Sequence, residues 1–172
     1  MIVPDDKNWT WVLERECPEC GLDPQSLDPK AVSEMARDQG LTWAALVTKP
    51  GAATRTRDDR WSVLEYACHV RDVLRLFDMR LQRMLNEDDP LFANWDQDAT
   101  AIEERYDQRD PAVVATELVE AANAIADTFA SVGEGQWQRV GRRSDGVHFT
   151  IESYARYFIH DPVHHVWDVT TG

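Results

Sequence analysis

The segment that most constrains the fold is the last one with helical periodicity, residues 149–169, because it is apolar on two opposite sides. At about 100° of rotation per residue, one side of a helix here carries Ile151, Ala155, Phe158, Val166 and Val169. The opposite side carries Tyr157, His160, His164 and Trp167. Because both sides must be covered, this segment predicts a helix at the centre of a helical bundle.

Two histidines of this helix, His160 and His164, are four residues apart. Side chains at that spacing lie about 40° apart around a helix, one above the other, so two imidazoles can bind one metal ion. His165 is rotated by about 100° from His164 and is not expected to join the same site easily. Pro162 removes one helical donor, which predicts a kink beside the pair. The alternative is two histidines that are simply packed in the core.

Length and charge narrow the class of protein. The chain has 172 residues, enough for one domain with a sizeable core, and a formal net charge of −13. Such a charge disfavours nucleic acid and anionic membranes as partners, and leaves a small-molecule substrate and a homodimer as candidates. No apolar run is long enough to span a bilayer, and Asp5 and Asp6 do not fit a signal peptide. With three cysteines that cannot all pair, we predict a cytoplasmic protein.

Capping signals define three further helices. Asp-Pro pairs at 28–29 and 110–111 each combine an N-cap with a proline at the first helical position. They start the first and third helices, and the first is expected to run to Pro50. Ser62 and Glu65 form a capping box at the start of the second helix.

The connections between these helices differ in length. Residues 86–109 form a long acidic connection, which allows the second and third helices to run parallel. Residues 137–141 and 147–149 predict a small hairpin before the last helix. The chain therefore predicts an all-α fold, a four-helix bundle with one small hairpin, over residues 28–172. Residues 1–27 are interpreted as an N-terminal extension.

Two other features bear on chemistry. His69 lies at the margin of the apolar stripe of the second helix, where a histidine can face the core and still reach water. Cys17 and Cys20 form a C-x-x-C turn, which is half of a zinc site or a redox pair. Because a second C-x-x-C is missing from the sequence, we interpret it as a tight turn with two reduced thiols, apart from the histidines.

A helix-two histidine followed by H-x-x-x-H near the end of helix four resembles the DinB-like (YfiT-type) family of proposed metalloenzymes. The matching stretches are residues 61–72 and 160–168. The resemblance implies an up-down-down-up bundle. It also implies that a divalent metal, zinc or nickel, is bound by His69, His160 and His164. Three neutral imidazoles with an open position are typical of a catalytic site.

The resemblance further implies thiol chemistry. Some relatives are metal-dependent transferases or isomerases that use mycothiol, bacillithiol or glutathione, and a metal with an open position can bind such a thiol as thiolate. We therefore expect a mycothiol-type S-transferase or isomerase acting on a small electrophile. The alternatives are a metal-binding or stress-response bundle without turnover, and a dimeric interaction module with packed histidines.

The surroundings of the expected ligands can be predicted from chemistry alone. A ligating imidazole usually donates its second N–H to a carboxylate or carbonyl, and Asp72, Asp161 and Asp168 are within one helical turn of an expected ligand. Each could instead be solvated or cap a helix. His148, in the predicted hairpin, is expected at the surface.

Overall fold

A computed structural model of the protein describes residue 2 and residues 8–171. Asp5 and Asp6 lie outside the described residues, as does part of the predicted extension 1–27. The described residues form five α-helices: α1 (Val32–Val47), α2 (Val63–Asn86), the short α3 (Gln97–Glu103), α4 (Pro111–Ala130) and α5 (Ile151–Thr171). Across the described part of the chain, none of them combines the length and the apolar character needed to cross a membrane.

The helices begin where the capping signals predict. Ser62 Oγ accepts from the backbone N–H of Glu65, and the Glu65 side chain accepts from the backbone N–H of Ser62, which confirms the capping box. Asp110 caps α4 by accepting from Ala112 N. Asp28 caps a 3₁₀ turn (Pro29–Ala31), so the α-helical part of helix one is shorter than predicted.

The bundle core is densest between α1 and α4. At Gly40 of α1, a Cβ atom would lie only 2.4 Å from Ala122 Cβ of α4, so the two helices approach more closely than two larger residues allow. Trp43 of α1 donates from Nε1 to the carbonyl of Pro162 at 3.0 Å and ties α1 to α5. Helix α5 continues through Pro162 and contacts both α1 and α2. The up-down-down-up order stays a prediction.

A small sheet accompanies the bundle. Strand β1 (Leu91–Phe92) pairs in parallel with β2 (Val140–Arg143), which pairs antiparallel with β3 (His148–Thr150). The hairpin prediction is therefore confirmed in outline, with its first strand shifted toward the chain's C-terminus. The sequence did not indicate that the long connection would add a third strand and the helix α3.

The N-terminal segment packs against the bundle. It forms a 3₁₀ helix (Trp9–Leu13) that contacts α5, with Val12 fully buried. Arg156 of α5 donates from Nε to the Leu27 carbonyl at 3.0 Å. These contacts place the Cys-x-x-Cys turn beside α5.

Candidate metal centres

Helix α5 carries two pairs of potential metal ligands, each with a spacing of four residues. The first pair is His160 and His164, and the second is Asp161 and His165. The second pair is offset by one residue and therefore rotated by about 100° around the helix. The structure places the two pairs in two separate groups of donors.

The first group, called here the His69 group, consists of His69, Asp161 and His165, whose donor atoms all lie within 4.8 Å of one another. Asp161 Oδ2 is 3.6 Å from His69 Nε2 and 3.8 Å from His165 Nε2. Two donors on one tetrahedral zinc ion lie about 3.5 Å apart, given metal–ligand bonds of about 2.0–2.3 Å. The spacing thus fits a shared ion with little movement.

Aromatic rings enclose this group. His69 is only 1 % exposed, because Trp95 stacks on it at 5.5 Å with an interplanar angle of 10° and Trp61 packs at 5.5 Å. The prediction that His69 reaches water is wrong. The long connection, which supplies Trp95, covers the margin of the α2 stripe.

A carboxylate, that of Asp168, orients one of these ligands, His165, from behind. Asp168 Oδ2 lies 2.8 Å from His165 Nδ1, so a proton on Nδ1 leaves Nε2 free to bind a metal. Burial would raise the pKa of Asp168, but the hydrogen bond with His165 and the neighbouring cationic groups together outweigh burial and lower the pKa. Burial would likewise raise the pKa of Asp161, yet the nearby His165 and His69 hold it at about 2. Asp72, the third candidate, is bound by Arg71 instead.

The second group, called here the Cys17 group, consists of Cys17, Cys20, His160 and His164, again with all donor atoms within 4.8 Å of one another. Cys17 Sγ lies 3.6 Å from His164 Nδ1. The prediction that the Cys-x-x-Cys turn stands apart from the histidines is wrong, because the 3₁₀ helix folds the turn back onto α5.

The ionisation of this group reflects its burial. Burial lowers the pKa of His160 to about 4, assisted by the positive charge of His164 when protonated. Burial also lowers the pKa of His164, so both imidazoles are neutral at neutral pH, the form that binds metals. Burial, together with the neighbouring Cys17, raises the pKa of Cys20 to about 11.

The structure therefore brings His160 and His164 together and places His69 in the other group. Binding of one ion by His69, His160 and His164 stays a prediction, in competition with the two groups. The groups adjoin, since the rings of His164 and His165 lie 5.9 Å apart. His148 is exposed on β3, as expected.

A cavity of about 550 Å³ opens beside these residues. Asp161 and His165 line it, as do His160 and His164 of the Cys17 group, and aromatic side chains form much of its wall. Two guanidinium groups, those of Arg80 and Arg143, also face it. Its volume is in the range of small-molecule sites.

The family model of the DinB superfamily matches residues 34–169, which include α2, α4, most of α5 and both pairs of potential ligands. The chain belongs to the DinB superfamily. Among solved structures it is similar to YfiT from Bacillus subtilis, described as a probable metal-dependent hydrolase with an unusual four-helix bundle topology. The two are 18% identical, with a TM-score of 0.69, over 95% of this chain and 97% of YfiT. Comparison with curated proteins found no match.

At that level of identity YfiT shows the fold, a four-helix bundle with a small sheet, and the ligands have to be argued from this chain. Sequence reasoning missed His165 as a ligand candidate, although Asp161 and His165 repeat the four-residue spacing. It also missed Trp95, Arg80 and Arg143, for which the sequence carried no signal.

Proposed function

We propose that this DinB-superfamily protein is a divalent-metal-dependent enzyme whose metal is held by the His69 group. The observation that carries the proposal is the convergence of His69, Asp161 and His165 within 4.8 Å, with Asp161 and His165 at the wall of the cavity. Two imidazoles and one carboxylate leave coordination positions open, as catalytic sites require. Zinc or nickel suits these donors. The three-histidine set is the competing ligand assignment.

Two observations support the fit. Asp161 Oδ1 has no hydrogen-bond partner among the described residues, and an ionised carboxylate in that position calls for a cation. The 2.8 Å contact from His165 Nδ1 to Asp168 is the support that metal-binding imidazoles usually have.

When bound, a divalent ion would lower the pKa of a coordinated thiol or water molecule and polarise an electrophile. We propose first that the nucleophile is a low-molecular-weight thiol of the mycothiol type, so that the enzyme is an S-transferase or isomerase. Hydrolysis by activated water is the second candidate, favoured by the description of YfiT. The non-catalytic alternative is a metal-binding bundle without turnover.

The cavity residues indicate how a substrate is held. Arg80 is 7% exposed and donates to the Ala93 carbonyl at 2.8 Å, leaving other N–H groups of the guanidinium for a ligand. Arg143 donates from Nη1 to Tyr157 Oη at 3.0 Å. Arg143 is also paired with Asp145, so Arg80 is the main guanidinium group available to a carboxylate or another anionic group of a ligand. We propose that Arg80 orients that group while the reacting centre faces Asp161 and His165.

Cytoplasmic location and dimerisation are parts of the same proposal. Thiol cofactors and free cysteines both stay reduced in the cytoplasm. We also propose the up-down-down-up order of helices, because the resemblance to thiol-dependent relatives implies it.

The test uses the full chain, stripped of metal and reloaded with zinc or nickel. Mycothiol, bacillithiol and glutathione are each offered with a small electrophile, and p-nitrophenyl esters are offered in parallel to detect hydrolysis. We expect His69→Ala to lose one equivalent of metal and all turnover, with His148→Ala, an exposed histidine, as the matched control. His69→Gln, which retains most of the side-chain volume, separates loss of the ligand from loss of packing.

Turnover of a thiol substrate identifies the first candidate, and turnover of esters alone identifies the second. A protein that binds stoichiometric metal but turns over neither thiol substrates nor esters would support the non-catalytic alternative, a metal-binding bundle. Full metal content in both His69 variants would refute the assignment of the His69 group.

A further inference from the structure

We propose that the Cys17 group is a second metal site, in which Cys17, Cys20, His160 and His164 bind one zinc ion with tetrahedral geometry. Thiolate and imidazole ligands in this two-plus-two combination are typical of structural zinc sites. The inference does not depend on the activity proposed for the His69 group, which shares none of these four ligands.

The distances match a shared ion. Cys17 Sγ and His164 Nδ1 are 3.6 Å apart, and sulfur and nitrogen donors on one tetrahedral zinc lie about 3.5 Å apart, given bonds of about 2.3 and 2.0 Å. The imidazole rings of His160 and His164 are 4.9 Å apart. His160 Nε2 is buried and has no hydrogen-bond partner among the described residues. A Cys17–His164 hydrogen bond alone would leave that nitrogen unsatisfied, whereas a metal ion would engage it.

The second nitrogen of His164 has the surroundings expected of a metal-bound imidazole. With Nδ1 toward the thiols, Nε2 faces Glu19 Oε2 at 3.4 Å and Asp168 Oδ2 at 3.9 Å. A metal-bound imidazole usually donates its other N–H to a carboxylate. The turn that carries the cysteines supplies one of these carboxylates itself.

The turn is already folded around the two thiols. Cys17 N donates to the Leu22 carbonyl at 2.8 Å, and Gly21 N donates to the Cys17 carbonyl at 2.9 Å. Gly21 has φ of +73°, a left-handed conformation that glycine adopts without strain and that lets the chain reverse directly after Cys20. The backbone thus presents both sulfur atoms from one tight turn, as metal-binding C-x-x-C segments do.

The site would fasten the N-terminal segment to the last helix. Cys17 and His164 are 147 residues apart, so the metal would join distant parts of the chain. Trp9 packs 4.8 Å from the His164 ring and also lines the cavity. Four protein ligands leave no open position, so the role is structural: the ion holds Trp9 at the edge of the cavity.

Cobalt substitution and elemental analysis test this site directly. Cobalt bound to thiolate gives an intense charge-transfer band in the near ultraviolet, which the His69 group cannot produce because it has no sulfur. We expect the band in the reduced wild-type protein, in His69→Ala and in Cys68→Ala, the matched thiol control. We expect it to be absent in the double variant Cys17→Ser with Cys20→Ser.

The zinc content of these variants should also distinguish the two sites. The wild-type protein should bind two equivalents, the double cysteine variant one, and His69→Ala one. After chelation, amide hydrogen exchange should accelerate in the peptide covering residues 8–27 and not in α4. These patterns separate the two sites, because failure of the His69 group leaves the thiolate band intact.

Two outcomes overturn the proposal. The first is a wild-type protein with reduced Cys17 and Cys20 but no thiolate band, a result that requires no variant to fold. The second is a single equivalent of metal that is lost in both His69→Ala and His160→Ala and retained in the double cysteine variant, which would establish the three-histidine site.

Discussion

Replacement of Asp168 by asparagine tests how the His69 group is built. The Asp168 carboxylate lies 2.8 Å from His165 Nδ1, and it is the only part of the residue that the substitution changes. The neighbouring contact, from Arg60 Nη1 to the backbone carbonyl of Asp168 at 3.0 Å, should be retained. Asparagine can still accept from Nδ1, so the change removes the charge and largely keeps the geometry.

The expected loss follows from that contact. A hydrogen bond to an ionised acceptor is worth about 1.5–3 kcal/mol, against about 1 kcal/mol for a neutral one. Loss of such a carboxylate partner typically lowers metal affinity by about 10- to 100-fold, or about 1.4–2.7 kcal/mol. Because Asp168 also lies 3.9 Å from His164 Nε2, the measurement belongs in the double cysteine background, where only the His69 group should bind.

The assay is competition for zinc against a chromophoric chelator, with Asp127→Asn as the control. Asp127 is an exposed carboxylate on α4 that pairs with Arg37, away from both groups. We expect Asp168→Asn to weaken zinc binding by about 10- to 100-fold and the control to leave it unchanged. Equal affinities for Asp168→Asn and its parent would refute the view that Asp168 orients His165.

Three further predictions concern stability. Gly40→Ala should lower the free energy of unfolding by about 1–2 kcal/mol and Tm by about 2–8 °C, because overpacking against Ala122 at 2.4 Å exceeds the gain in helix propensity. Adding Ala122→Gly to the same chain should restore part of the lost stability. Strictly additive effects of the two substitutions in thermal unfolding would contradict the steric explanation. Burial raises the pKa of Glu65, but hydrogen bonds from Arg55 and Ser62 outweigh this and lower it, so its stabilising effect is present above the unfolded pKa and is lost as pH falls through the folded value. Urea titrations should therefore show Glu65→Gln less stable than wild type at pH 7, with a smaller difference near pH 4, and a constant difference would be evidence against this ion pair. Removal of metal should lower Tm by about 5–11 °C for each site, given about 2.7 kcal/mol of linkage per site at a metal concentration 100-fold above Kd, and zinc should restore it. An unchanged Tm after verified metal removal would mean that metal does not stabilise the fold.

Local signals predicted the bundle well. The Ser62 capping box and the Asp110 cap depend on residues within one helical turn, so sequence alone is enough to locate them. The apolar faces of α5 likewise predicted the burial of its first half, where Ile151, Ala155 and Phe158 are fully buried, whereas Val166 and Trp167 in the second half are only partly buried.

The grouping of the ligands depends on long-range packing instead. The rotation of α5 about its axis, relative to α2, decides whether His69 contacts His160 or Asp161. These two neighbouring side chains point about 100° apart around the helix, so they do not face His69 together. The position of Cys17 depends on a segment folding back across 147 residues. Trp95 covers His69 from a connection whose path no periodic pattern predicts.

Anomalous diffraction at the zinc edge, from crystals grown with zinc, tests the central claim most directly. Two peaks are predicted, one bonded to His69, Asp161 and His165, and one to Cys17, Cys20, His160 and His164, with ligand distances of about 2.0–2.3 Å. A single peak bonded to His69, His160 and His164, with both cysteines unligated, would contradict the account.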